Sequence, residues 1–520
     1  MLLPGPTAST AAITLASTRD DPQLSGMPER AGLLTGGTAG LDYDLSSCNS
    51  GDSNQRLILK SEQTRCCQLM CVEHSLVVEG ARKAFGEGRT RPLAFRRQQL
   101  QQYRQMLQDH RLDFLKALAE DLNKPSLEAL SMDVDLALKD ANNLLANLDQ
   151  WVKKEDVASV IPGDKSYIIK EPYGVVLVMG AWNYPIQVSL VPAAGAIAAG
   201  NTVVIKPSEV SPATAAAIAK YLPQYLDKEC FRVVLGGVAE TTELLKERFD
   251  YIFYTGSTSV GRIVREAANK YLTPTTLEMG GKSPCYVDAT ADIDMAARRI
   301  LWGKMTNLGQ TCIAPDYILC PKAVQDAFVA KAKEVLKEWY GQDPSKSPDL
   351  ARIVAERHVD RLAQYLKEGK AVIGGQYNKA AKWVEPTVLV DVKEGSSVMR
   401  DEIFGPILPI LNVDTPEEAI TFINNRLEVT SKLEVQGLGS SGAVDALELS
   451  YRRCSCGCWG RGRRVIASLL HLPPLGLAVR CLRRHAAKLL RPGEQGEFRA
   501  LGEEGRGHPR QGTAAFLPRG

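Results

Sequence analysis

The chain has 520 residues, 44% of them hydrophobic and 24% charged. That length suggests about two to four domains, and the composition can fill their cores, which excludes disordered, collagen-like and small disulfide-framework classes for most of the chain. The formal net charge of +3 hides an asymmetry: residues 451–520 hold thirteen Arg and one Lys against four Glu, so the remainder is net negative.

Residues 1–76 mix Ser, Thr, Gly and Pro with isolated apolar residues and show no sustained period, and are read as a disordered extension. The first basic residue is Arg19 and no continuous apolar stretch precedes it, which argues against a signal or transit peptide. From Val77 the pattern changes. Leu100, Tyr103, Leu107, Phe114, Leu118 and Leu122 recur near helical spacing, Pro125 interrupts, and Leu127, Leu130, Val134, Leu138, Leu145 and Leu148 resume, predicting a long helical pair. Residues near Val157–Lys170 form a candidate protruding hairpin. The run from Pro172 to Ile205 carries no charge, yet Gly174, Gly180, Asn183, Pro185, Pro192, Gly195, Gly200 and Asn201 divide it into pieces too short to span a bilayer. It reads as a buried strand, a loop, a small-residue helix and a second buried strand.

Strand and helix signals then alternate: strands at Val175–Met179, Thr202–Lys206, Phe231–Leu235, Tyr251–Tyr254 and Thr276–Met279, with helices over Ala193–Ala199, Pro212–Leu222, near Glu240–Glu247 and from Val260. This is the pattern of βαβ units on a parallel sheet. A second series follows, with helices at Met295–Met305, Ala323–Trp339 and Arg352–Leu366 and strands at Trp383–Asp391 and Ile407–Val413.

Twelve cysteines without a framework spacing fit reduced thiols in an intracellular enzyme. Cys312 differs from the others by its setting. It ends Asn307-Leu308-Gly309-Gln310-Thr311-Cys312, after an amphipathic helix, where Gly gives the backbone freedom to present a thiol in a cleft. Glu278, in Leu277-Glu278-Met279-Gly280-Gly281-Lys282, ends an apolar strand, where burial would raise its pKa toward that of a general base. Asn183, in Ala181-Trp182-Asn183-Tyr184-Pro185, follows another apolar strand and could donate its amide to an oxyanion. Alone, each is as well explained by a buried thiol, a satisfied turn carboxylate and an Asx turn.

Taken together, Gly-Ala-Trp-Asn-Tyr-Pro, Leu-Glu-Met-Gly-Gly-Lys-Ser-Pro, Gly-Gln-Thr-Cys and Glu402-Ile403-Phe404-Gly405-Pro406 stand in the order and spacing of the aldehyde dehydrogenase superfamily. Residues 77–426 resemble its class 3, which includes fatty and aromatic aldehyde dehydrogenases. The resemblance implies an α/β fold: a Rossmann-like NAD(P)-binding domain over 77–280, with a small oligomerisation arm near 157–170, and an α/β catalytic domain from 281. It further implies oxidation of medium- or long-chain aliphatic or aromatic aldehydes to acids, with Cys312 as nucleophile, Asn183 as oxyanion donor and Glu278 as the base that activates water.

No GxGxxG follows the first strand. Lys206-Pro207-Ser208-Glu209 leaves a buried strand, and Thr255-Gly256-Ser257 joins a strand to a helix whose N-terminus can face a phosphate. By resemblance, Lys206 and Glu209 contact the adenosine ribose, Gly256 and Ser257 lie by the pyrophosphate, and Glu402 and Phe404 lie at the nicotinamide ribose of NAD or NADP. The resemblance also implies a homodimer and a cytoplasmic location, with some members of the class on membranes.

Past Arg426 the resemblance stops. Residues 427–520 form an Arg/Gly-rich basic tail without the family's closing motifs, as an alternative exon or frame change would produce, so the catalytic domain reads as incomplete over 281–426. Cys454, Cys456 and Cys458 lack zinc-site spacing, so no metal is expected, and the arginines have no interleaved aromatics, so neither is nucleic acid. Two readings of the chain follow: an active aldehyde-oxidising enzyme, or a product that binds nucleotide or a partner subunit without turnover.

Overall fold

The structure, a computed structural model, describes residues 74–159, 163–425 and 433–435. Helices open it: α1 over residues 74–86, α2 (Leu93–Asp109), α3 (Arg111–Leu122), α4 (Ser126–Ala129), a π turn at Leu130–Val134, and α5 (Asp135–Trp151). The predicted helical pair is thus broken at His110 and again before Pro125. Its apolar positions face inward as their spacing requires, with Leu100, Tyr103, Leu107, Phe114, Leu118 and Leu148 packed against Val176, Val178, Ile186 and Leu190. α1 already covers 74–76, so helix begins slightly before the boundary expected at 77; earlier residues lie outside the described set.

β1 (Glu155–Val157) and β2 (Ser166–Ile168) pair antiparallel where the hairpin was expected. The first large sheet holds β3 (Val175–Met179), β4 (Thr202–Lys206), β5 (Phe231–Val233), β6 (Tyr251–Gly256) and β7 (Thr275–Met279), all parallel, in the order β5-β4-β3-β6-β7. The crossovers are α6 (Pro185–Ala199), α7 (Pro212–Tyr225), α8 (Val238–Leu244) and α9 (Thr258–Asn269). β3 and β4 are buried along their whole length, which explains their unbroken apolar runs. The uncharged run of 172–205 is therefore strand, helix and strand, and among the described residues no helix is long and apolar enough to cross a membrane. α6 starts at Pro185, not at Ala193 as the sequence suggested. Pro185 occupies the first turn, where no N–H is needed, and the internal Pro192 forgoes one backbone bond without ending the helix.

The second large sheet has the order β10-β13-β14-β9-β8-β15, with β8 (Pro284–Val287), β9 (Tyr317–Cys320), β10 (Lys370–Ile373), β13 (Thr387–Val390), β14 (Ile407–Asn412) and β15 (Leu433–Val435). Only β10 runs antiparallel to its neighbour. It is served by α10 (Ile293–Met305), α11 (Lys322–Tyr340), α12 (Glu356–Tyr365) and α13 (Pro416–Asn424). The strand expected over Trp383–Asp391 is two elements, because Pro386 separates β12 (Trp383–Val384), which pairs with β11 (Tyr377–Asn378), from β13. α12 begins at Glu356 rather than Arg352, since the backbone of residues 352–354 bonds elsewhere. The tail expectation needs one correction: residues 433–435 add a parallel strand to β8, with Leu433 opposite Cys285. The rest of the tail, including Cys454, Cys456 and Cys458, lies outside the described residues.

Candidate active site

In an open parallel sheet, ligands bind beyond the carboxyl ends of the strands, at the point where the strand order changes direction. Here the chain runs from β3 outward through β4 and β5, then returns to β6 and β7 on the other side, which puts that point between β3 and β6. The predicted segments leave those ends: Gly180–Asn183 after β3, Lys206–Glu209 after β4, Gly256-Ser257 after β6, and Glu278 with Gly280 at the end of β7.

Lys206 donates to Glu209 at 2.8 Å, its own side chain buried and the carboxylate half-exposed. Burial pushes the Glu209 carboxyl up, but Lys206, with Arg357 of α12 assisting, holds it below its ordinary value. Ser257 caps α9, its Oγ accepting from Val260 N–H at 3.4 Å, and Tyr254 donates to the Ser257 carbonyl at 3.1 Å. This set fits a nicotinamide dinucleotide: a charged pair for sugar hydroxyls, then the positive end of a helix for a pyrophosphate. Gly280 completes the fit, because a Cβ there would stand 1.9 Å from Glu402 Oε2, so the Glu402 carboxylate rests on bare backbone at the end of β7.

The nucleophile candidate is held by an unusual turn. Asn307, Leu308 and Gly309 all have positive φ, at 52°, 52° and 77°, so three consecutive residues wind left-handed just before Cys312. Such conformations cost about 1–3 kcal/mol at a non-glycine residue and persist only where the surroundings fix them. Fully buried Gln310 supplies part of that fixing: its Nε2 donates to the carbonyls of Asn307 and Arg352, and its Oε1 accepts from Val354 N–H. Tyr184 and Thr311 join their hydroxyls at 2.8 Å. Burial pushes the Cys312 thiol up to about 11; the Glu402 charge adds to the rise, as does Glu278, while the N–H groups of Cys312 and Ile313 oppose it.

Asn183 is buried, and among the described residues its side-chain amide makes no hydrogen bond, whereas its carbonyl accepts two. Glu278, expected to be buried, is exposed, on the edge strand β7 whose other residues are half-buried. Burial pushes Glu402 up to about 8; Asp316 adds to the rise, and Lys304, Lys282 and Arg361 oppose it. Phe404, at φ 50°, meets Trp182 edge-on at 5.2 Å, which brings the Glu402–Pro406 loop against the Asn183 turn. Two anchors hold that loop: Asp316 accepts from Ile403 N–H at 3.2 Å, and Arg361 donates to the Ile403 carbonyl at 2.8 Å. Cys312, Asn183, Glu278, Glu402 and Phe404 therefore converge, and Lys206, Glu209, Gly256 and Ser257 line the adjoining strand ends.

Sequence reasoning missed a supporting set. Lys124, Asp133, Lys282, Lys304 and Asp316 are all buried, in two charged clusters. The available signal was a charge at a position where the apolar period puts the core, as at Asp133 beside Ala129 and Val134. No cluster of side chains that could hold a metal occurs among the described residues, and the four described cysteines are free.

Comparison with known proteins agrees with this geometry. Residues 66–428 match the aldehyde dehydrogenase family. Aldehyde dehydrogenase family 3 member A2 of Pongo abelii is 52% identical over 355 residues, which cover 68% of this chain and 73% of that protein. The dimeric NADP-preferring aldehyde dehydrogenase of Canis lupus familiaris is 50% identical, over 68% of this chain and 78% of its own. Among solved structures, AldH of Staphylococcus aureus in its substrate-bound state superposes with a TM-score of 0.70 at 39% identity, covering 73% of this chain and 82% of that one. The strand-end site, the left-handed cysteine turn and these relationships together place the chain in the aldehyde dehydrogenase family, in its class 3 branch of NAD(P)-dependent oxidoreductases that convert aldehydes to carboxylic acids.

Proposed function

We propose that Cys312, Asn183 and Glu278 carry this oxidation in successive roles. The Cys312 thiol passes its proton to solvent water, and the thiolate attacks the aldehyde carbonyl carbon, forming a thiohemiacetal whose oxygen carries the negative charge. The Asn183 amide and the Cys312 N–H stabilise the oxyanion, in a pocket where fixed donors need no reorganisation. Lys206, Glu209, Gly256, Ser257, Glu402 and Phe404 would hold NAD(P)+, which would supply the acceptor for the hydride that leaves the thiohemiacetal carbon as that carbon becomes a thioester. Glu278 then takes a proton from water, whose oxygen adds to the thioester carbon; the carbon–sulfur bond breaks, the acid leaves and the Cys312 thiolate is restored. An exposed Glu278 suits this last role, since it must reach solvent for water and shed the proton afterwards.

The observation that supports the reading is geometric: the left-handed turn at Asn307–Gly309 that leads into Cys312 is joined to the Asn183 peptide, whose carbonyl accepts from Asn307 Nδ2 at 2.8 Å. The test is NADH or NADPH formation by the full chain with a medium-chain aldehyde. Cys312→Ala should abolish it, and Glu278→Gln should leave one burst of reduced cofactor followed by slow turnover. Undiminished turnover in Cys312→Ala would overturn the assignment.

We further infer an apolar aliphatic or aromatic aldehyde as substrate, after the class. A homodimer is inferred from the relative named as dimeric and from Tyr167, Ile168, Ile169 and Tyr173, large apolar side chains left exposed on and after the hairpin. The free thiols favour a cytoplasmic location.

A further inference from the structure

The peptide of Asn183 is gripped by groups far away in sequence. Its carbonyl accepts from Lys124 Nζ at 2.9 Å and from Asn307 Nδ2 at 2.8 Å. The Lys124 side chain is fully buried, as is that of Asp133, whose Oδ2 lies 3.2 Å from the ammonium. The other oxygen of Asp133 accepts from Gln187 N–H at 2.7 Å, at the start of the helix that follows Asn183 and Tyr184. The ammonium also sits 4.0 Å from the centre of the Tyr184 ring. Asn307 in turn donates its N–H to Glu128 at 2.6 Å, so the same cluster reaches the cysteine turn.

A buried ion pair is a poor source of net stability, because desolvating both charges offsets most of their attraction, and apolar residues of similar volume often do as well. What an apolar pair cannot do is hold a carbonyl and a helix N-terminus in register at once. With its carbonyl bound twice and the following helix capped, the Asn183 peptide has little freedom to rotate, and its side-chain amide is left unspent.

We propose that Lys124 and Asp133 are positioning residues that fix the Asn183 peptide so that its amide stays aimed at the aldehyde oxygen. This rests on the oxyanion role assigned to Asn183 above. Neither residue touches substrate; each acts through Asn183.

The test is a double-mutant cycle in the full chain, reading kcat, aldehyde KM, cofactor Kd and thermal midpoint for Lys124→Met, Asn183→Ala and the double variant. Lys124→Met should lower kcat by about tenfold to a hundredfold with KM and Kd changed by less than about threefold, as expected for a misplaced donor. In the Asn183→Ala background the same change should lower kcat by less than about threefold, because the group it positions is gone. Equal losses in both backgrounds, or a loss that tracks cofactor Kd and thermal midpoint, would overturn the positioning role. Full kcat in Asn183→Ala alone would instead remove the oxyanion reading on which it rests. Should Lys124→Met not fold, the near-isosteric Asp133→Asn carries the same cycle with the same expectations.

Discussion

The Cys312 thiol should be a slow nucleophile in the chain without cofactor, and the structure says by how much. Burial, reinforced by Glu402 and Glu278, pushes it up to about 11. At pH 8 only about one thiol in a thousand is then ionised, against about one in ten for an ordinary cysteine near 9, a deficit of about a hundredfold. A more basic thiolate attacks disulfides faster, by about six- to tenfold over two pKa units, so the net expectation is reaction about ten- to sixteenfold slower than for an exposed thiol. An aromatic disulfide reagent measures this, with labelling followed at the Cys312 peptide by mass spectrometry because the chain has twelve cysteines. The rate should keep rising through pH 10. Glu402→Gln removes a negative charge that disfavours the thiolate, so it should move the profile to lower pH. Because Glu402 itself is pushed up to about 8, that shift should show above pH 8 and fade below it. A plateau below pH 9, or a shift to higher pH in Glu402→Gln, would refute the reasoning.

Three further outcomes follow from close contacts in the site. Gly309→Ala places a Cβ 2.2 Å from the Gly405 carbonyl at φ 77°, so urea unfolding should show a loss of at least about 2 kcal/mol, and an unchanged midpoint would contradict it. Gly280→Ala pushes only on the mobile end of Glu402, so stability should change by less than about 1 kcal/mol while KM for NAD(P)+ rises by about tenfold in steady-state assays. Glu209→Gln leaves Lys206 without its carboxylate, which should raise the ratio of kcat/KM for NADP+ over NAD+ by on the order of tenfold, and an unaltered ratio would remove Glu209 from the cofactor's sugar.

The first sheet was legible because its central strands are buried on both faces and separated by recognisable helices. Val175–Met179 and Thr202–Lys206 have the bounds the apolar runs give. β8 and β9 were not read: they are four-residue strands, wholly buried, one beginning at Pro284, and so short an apolar run has no period of its own. The site residues were found through ordered motifs, since each alone has an ordinary explanation. The burial of Glu278 was misjudged because position at a strand end does not tell whether that strand lies at the edge of its sheet. Lys124, Asp133 and Asp316 escaped for the opposite reason: a buried charge looks like a solvated one until its partner, nine or more residues away, is seen.

The grip on Asn183 also bears on the order in which the chain acquires its properties. The hydrogen bonds that set the site join residues 59, 124 and 179 positions apart, between Lys124 and Asn183, Asn183 and Asn307, and Glu128 and Asn307. Closing loops of that length costs entropy that is recovered only when distant segments dock, so such contacts form slowly. On refolding, helix and strand signals should return ahead of aldehyde turnover. Under mild denaturant, turnover should vanish while most of the secondary structure persists, because the left-handed cysteine turn depends on partners that nothing local can replace.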